Sequence, residues 1–167
     1  MKALLIIAPQ NFRDEEYFYT KEELEKAGVD VTTASRSTET TTGMMGGTAK
    51  PDISLSEVNV DEYDAVLFIG GSGSAVYFNN ATALDIARKA DAAGKVVGAI
   101  CIAPSILANA GLLRGKRATA YPSEEANLRA KGAEYTGEGV TVDGRIITGD
   151  GPTSAREFGR AVVRVLG

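Results

Sequence analysis

One thiol dominates the chemistry available to these 167 residues: Cys101 is the only cysteine, and there is no histidine at all. Cys101 ends the apolar run Val96-Val97-Gly98-Ala99-Ile100, and Pro104, a residue suited to opening a helix, follows three positions later. That spacing predicts a strand, a tight turn at the sulfur, and a helix whose free N–H groups and positive dipole end would stabilise a thiolate. An ordinary thiol has a pKa of about 8.5, so such a turn must lower it by more than about one unit to hold mostly thiolate at neutral pH. A free cysteine inside the cell is more often a small buried hydrophobe. A second feature favours a reactive group: Gly70-Gly71-Ser72-Gly73-Ser74 follows another apolar run, and glycines at a strand's carboxyl end let the backbone approach a ligand closely.

The missing residues exclude as much as the present ones imply. Without histidine there is no imidazole base, no His-ligated zinc and no Ser-His-Asp triad, and one thiol cannot build a thiolate metal cluster or an internal disulfide. No metal or cofactor is expected. The Gly70-Gly71 segment lacks the lysine and spacing of a phosphate loop and does not open a dinucleotide-binding fingerprint. The acidic run Asp14-Glu15-Glu16 begins a predicted helix, where carboxylates ordinarily complement the dipole in solvent; spacing alone singles out none of the three.

The elements that must position these groups alternate. Ala3 to Ala8, Val29 to Ala34, Tyr63 to Ile69 and the run before Cys101 read as buried strands. Helices are predicted from Asp14 to about Lys26, from Ala81 to Ala93 behind an Asn80 cap, from Pro104 to Ala110, from Ser123 to about Lys131, and from Ser154 to Leu166. The last places Phe158, Ala161, Val162 and Val165 on one face. Ser35 to Pro51 reads as an irregular or hairpin excursion, Lys116 to Tyr121 as a strand, and Val140 to Ile147 as a hairpin about Asp143-Gly144. This alternation implies one α/β domain over residues 1–167, a doubly wound, mostly parallel sheet with helices on both faces. Ligands in such folds sit beyond the carboxyl ends of the strands, where the acidic turn, the Gly-Gly loop and Cys101 all fall.

A chain 44% hydrophobic and 24% charged can bury a full core, and a net charge of -4 argues against a nucleic-acid or anionic-membrane surface. No apolar run approaches the ~18 residues of a membrane span, and Met1 to Pro9 is too short for a secretion signal, so a cytoplasmic location is expected.

Five segments together resemble the ThiJ/PfpI superfamily, which includes archaeal intracellular proteases and the parkinsonism-associated protein deglycase. They are the Phe12 to Glu16 turn, Phe68-Ile69-Gly70-Gly71, Ala99-Ile100-Cys101-Ile102-Ala103-Pro104, Ala120-Tyr121-Pro122, and Ile147-Thr148-Gly149 leading into Gly151-Pro152. The resemblance implies a flavodoxin-like fold with Cys101 as nucleophile on a strained elbow, Glu16 as the carboxyl group beside it, and the N–H groups of Gly71 and Ile102 as an oxyanion site. It also implies Tyr121 as a proton donor and a homo-oligomeric assembly. Apart from the resemblance, Gly70 is expected at the pocket, and Met44 and Met45 are expected to border the pocket or a dimer partner. One departure matters: the protease branch carries histidine directly after the cysteine, where this chain has Ile102.

Peptide cleavage by a thiol needs a base to sustain the thiolate and an acid for the leaving amine, usually one imidazole. Its absence disfavours a peptidase. A small aldehyde or a glycated thiol or amine asks only for one thiol and one carboxyl, so the expected activity is that of a glyoxalase or deglycase, with Glu16 as general acid and base. The alternative is a non-enzymatic redox sensor or chaperone that works through oxidation of Cys101.

Overall fold

The computed structural model describes residues 1–167. In its first half, β1 (Lys2–Ile6), α1 (Asp14–Lys26) and β2 (Asp30–Ser35) are followed by three two-residue strands, β3 (Thr41–Thr42), β4 (Thr48–Ala49) and β5 (Ile53–Ser54), and then by β6 (Ala65–Phe68). The chain continues through α2 (Ala81–Ala92), β7 (Val96–Ile100), α3 (Pro104–Asn109), β8 (Arg117–Ala118), α4 (Glu125–Ala130) and β9 (Glu134–Tyr135). It ends with β10 (Val140–Asp143), β11 (Ile146–Gly149) and α5 (Ala155–Leu166).

Seven strands form the main sheet in the order β10-β11-β7-β6-β1-β2-β5, parallel throughout except for β10, which returns antiparallel to β11 across the Asp143-Gly144 turn. The period of two in each strand divides the core into layers. Leu4, Ile6, Val97 and Ala99 pack with Ile86 of α2 and Leu107 of α3. Ala3, Leu5, Val96 and Ile100 pack with Leu24 of α1 and Phe158 of α5. This is the doubly wound α/β sandwich expected from the alternation, and the flavodoxin-like fold that the resemblance implies. No helix is long and apolar enough to cross a membrane.

The sheet order also places the site. The chain starts in the middle at β1, builds outward through β2 and β5, then returns to lay β6 on β1's other edge and β7 beyond it. The winding direction reverses between β1 and β6, which opens a crevice at their carboxyl ends. Ile6, Phe68 and Ala99 share one row across β1, β6 and β7, so the three loops that follow leave the sheet at the same end.

The hairpin, the Asn80 cap (Oδ1 accepts from the Ala83 N–H at 2.9 Å) and the buried face of α5 follow the sequence expectations. The Ser35 to Pro51 excursion contains the small antiparallel pair of β3 and β4. The strand expected over Lys116 to Tyr121 shrinks to β8, which pairs only with β9. Its continuation is diverted because its amides find other acceptors: the Thr119 N–H donates to Thr148 Oγ1 at 2.9 Å and the Tyr121 N–H to the Cys101 carbonyl at 2.7 Å. The helix expected from Ser123 begins as a tighter turn over Pro122–Glu124 before α4.

Candidate active site

Cys101 leaves β7 with φ 66, a left-handed conformation that costs an L residue roughly 1–2 kcal/mol. Two hydrogen bonds hold it there. Its N–H donates to the Gly149 carbonyl at 2.9 Å, and its carbonyl accepts from Tyr121. The turn swings the side chain off the sheet axis, and α3 starts at Pro104 with Ala103 as its cap residue. The expected strained elbow is therefore present.

The Gly-Gly loop meets the loop after β1 at close quarters. The Arg13 N–H donates to the Gly70 carbonyl at 2.9 Å, and the Gly73 N–H to the Asn11 carbonyl at 3.1 Å. Gly71 lies at φ 108, and a Cβ there would stand 2.5 Å from the Asn11 oxygen. A Cβ on Gly70 would strike the Glu16 carboxyl and stand 2.5 Å from Cys101 Cβ. Only glycine at both positions lets the three loops converge.

The acidic run separates into three roles. Asp14 turns toward the loop between β3 and β4 and accepts from the N–H groups of Met45 (2.8 Å) and Gly47 (2.7 Å). Glu15 takes both Nε and Nη2 of Arg13, at 3.0 and 2.9 Å. Glu16 points inward, is wholly buried, and faces Cys101; neither carboxyl oxygen completes a well-formed hydrogen bond. A buried ionised carboxylate without partners is expensive, so burial pushes Glu16 up to about 8, and only the Cys101 thiol, Arg13 and the Gly70 N–H pull the other way.

The thiol differs from expectation. In place of a lowered value, Cys101 is pushed up to about 12, first by burial and second by the Glu16 carboxyl, although the N–H groups of Gly71 and Ile102 both favour the anion. Desolvation and the facing acid together outweigh the two amides at the helix mouth. The pair thus retains its protons in the resting protein and titrates as a unit. Neither of those two amides donates to a protein oxygen, so both remain free for a sulfur or oxygen anion at this spot.

Cys101, Ile102, Gly71 and Tyr121 line a cavity of about 250 Å³, completed by Arg13, Met44, Ser72, Ser123 and Pro152. Glu16 lies beneath it. Tyr121, 47% exposed, stands at the rim with no hydrogen bond to its hydroxyl. Two expected pocket residues belong elsewhere. Gly70 is packed under the site against Glu16 and Cys101, and Met45 is 65% exposed with its amide tied to Asp14. Its neighbour Met44 takes the lining position and accepts from the Ser72 N–H through Sδ at 3.3 Å. Arg13 was missed from the sequence, where it reads as one more surface charge before an acidic helix start. A larger hollow of about 630 Å³ between the segment around Leu55 to Asp61 and α2 does not include Cys101 or Glu16 in its lining. No three histidine, cysteine, aspartate or glutamate side chains converge as metal ligands.

Residues 1–165 match the family model described as the DJ-1/PfpI family. A deglycase of Pyrococcus horikoshii is 35% identical over 166 residues, covering 99% of both chains. A glutathione-independent glyoxalase of Caenorhabditis elegans is 27% identical over 98% of this chain and 88% of its own. Among solved structures, a ThiJ/PfpI domain protein from Brachyspira murdochii superposes with a TM-score of 0.97 at 36% identity, covering 99% of this chain and 95% of that one.

Proposed function

The chain belongs to the DJ-1/PfpI family, and from that premise we propose that it is a cysteine-dependent enzyme acting on small reactive carbonyls, a glyoxalase or deglycase with Cys101 as nucleophile and Glu16 as general acid and base. The observation that carries the reading is the buried, unpartnered Glu16 carboxyl facing the only thiol of a chain without histidine. A carboxyl whose pKa lies near 8 is poised to exchange protons near neutrality, where an ordinary glutamate would remain ionised.

With methylglyoxal as substrate, the reactive form is the minority in which Glu16 has given its proton to solvent: its carboxylate takes the thiol proton as sulfur adds to the aldehyde carbon, and the alkoxide forms against the Gly71 and Ile102 amides. Glu16 returns its proton to that oxygen, giving a neutral hemithioacetal. As a carboxylate again, it removes the hydrogen on the former aldehyde carbon as a proton and delivers it to the neighbouring carbon, while the hydroxyl proton on the first oxygen passes to the second, so that the first carbon becomes a carbonyl and the second a carbinol. The product is a lactoyl thioester. Water cleaves the carbon–sulfur bond, releasing lactate and regenerating the thiol. The sum is methylglyoxal plus water to lactate plus one proton, with no external oxidant or reductant. Tyr121 at the rim can donate to the substrate's second oxygen. The homo-oligomer implied by the family resemblance would add no histidine to the site, because every copy lacks one.

A second reading draws on the same desolvated thiol. A protonated Glu16 and two free amides would also hold the oxygens of a sulfinic acid, as a redox sensor requires. The test incubates wild type, Cys101→Ser and Glu16→Gln with methylglyoxal and records the mass of each after dilute peroxide. Lactate from wild type and from neither variant supports the enzyme. No turnover, with a gain of two oxygens only in proteins that retain Cys101, supports the sensor. Peptide cleavage that disappears in Cys101→Ser would overturn the rejection of a peptidase.

A further inference from the structure

We propose that Arg13 is the anion-binding residue of the Cys101 cavity, so that the preferred substrates are 2-oxoaldehydes or their adducts bearing a carboxylate or phosphate group. The substrate class rests on the carbonyl reading above, whereas the anion site does not.

Three observations lead there. Arg13 is the one charged side chain lining a cavity otherwise made of neutral groups. Its guanidinium is clamped along one edge by Glu15 through Nε and Nη2, and Nη1 has no protein partner. Of the five N–H groups of an arginine, three therefore remain, two of them side by side on the Nη1–Nη2 edge, the geometry that receives a carboxylate or phosphate through two parallel bonds. The clamp also fixes the fork before a ligand arrives, which lowers the entropy lost on binding. The backbone is equally fixed, since the Arg13 N–H is bonded to Gly70.

The second observation is size. At about 30 Å³ for each water-sized group, 250 Å³ accommodates roughly eight, more than the five non-hydrogen atoms of methylglyoxal. The spare room adjoins a cation, and an anionic substituent would use both. The third is reach. Arg13 and Cys101 line the same cavity of about 250 Å³, so a small molecule reacting at the sulfur can place a substituent on the guanidinium.

Because Cys101 is the only thiol, alkylation reads this cavity without requiring turnover. The experiment measures second-order rates of Cys101 alkylation by iodoacetate and by iodoacetamide, an anionic and a neutral reagent of similar size. Any general change in thiol reactivity cancels in their ratio. Wild type is expected to favour iodoacetate about tenfold more than Arg13→Gln does, equivalent to about 1.4 kcal/mol. Arg13→Lys, which retains the charge but not the fork, should fall between them, and circular dichroism checks that both variants are folded. Propionate and inorganic phosphate, tested separately, should protect wild-type Cys101 from iodoacetamide but not protect Arg13→Gln; whichever protects at lower concentration identifies the group. An unchanged ratio in folded Arg13→Gln overturns the proposal. Turnover of 4,5-dioxopentanoate against methylglyoxal then tests the substrate. If neither reacts, the carbonyl reading fails while the alkylation ratio still decides the role of Arg13.

Discussion

Replacing Glu16 by glutamine should change the slope of stability against pH more than its value at any one pH. In the folded chain the Glu16 carboxyl has a pKa of about 8, against 4.5 for its ordinary value. Between these two values the native state binds a proton that the unfolded state has released, so stability must fall as pH rises. The favourable contribution is complete below 4.5 and is lost progressively up to about 8. Each pH unit in the middle of that window costs roughly 1.4 kcal/mol, and the whole shift amounts to about 5 kcal/mol. That is a large part of the 5–15 kcal/mol that holds a typical domain together. The shift of Cys101 acts in the same direction but begins at its ordinary value of 9.0, above the window. Urea unfolding of wild type and Glu16→Gln at half-unit steps from pH 5 to 8.5 isolates the effect, since all other carboxylates cancel in the difference. The glutamine variant should gain steadily on wild type with rising pH, even if its buried amide makes it less stable at pH 5. Parallel curves across the window would refute the reasoning, because they would mean that Glu16 is ionised in the folded protein.

Substitutions at three positions test the geometry around the pair. Cys101→Gly should be more stable than Cys101→Ala by about 1 kcal/mol in urea unfolding, because only glycine relaxes at φ 66; a more stable alanine variant would mean that the elbow is unstrained. Gly71→Ala, with φ 108 and its new methyl driven against Asn11 and Phe12, should lose about 3 kcal/mol of stability and nearly all Cys101-dependent activity, read by thermal melting and lactate formation. Asp14→Ala removes the acceptor for the Met45 and Gly47 amides; a loss of about 3 kcal/mol is expected, with faster proteolysis between residues 43 and 47. Cleavage at the wild-type rate would contradict that role.

The layering of the fold was legible because buried parallel strands are written as uninterrupted apolar runs, and Ala3 to Ala8 and Val96 to Ile100 could be little else. Cys101 was legible through its position between a strand and Pro104. The partition of Asp14, Glu15 and Glu16 was not, because adjacent carboxylates on a first helical turn point in different directions, and only the loops packed around them decide which is buried. The same holds for Met44 and Met45, where one step along the loop exchanges the cavity for solvent. Arg13 was invisible for a related reason: its significance comes from the Gly70 carbonyl that pins its backbone, a contact across 57 positions. The thiol was misjudged because local dipoles can be read from sequence, whereas desolvation is a property of the assembled interior.

The Gly149 carbonyl that holds the Cys101 N–H has a consequence for biosynthesis. Glu16, Gly71 and Cys101 are all synthesised before their closing partner: the bond that closes the elbow waits for β11 (Ile146–Gly149), which follows Cys101 in the chain. Until then the cysteine of a nascent chain has an ordinary backbone, no buried acid beside it and an ordinary reactivity. Ribosome-stalled chains ending before residue 146 should therefore be alkylated at the rate of a free cysteine, and the distinctive behaviour of the site should switch on only once β11 and α5 have been added.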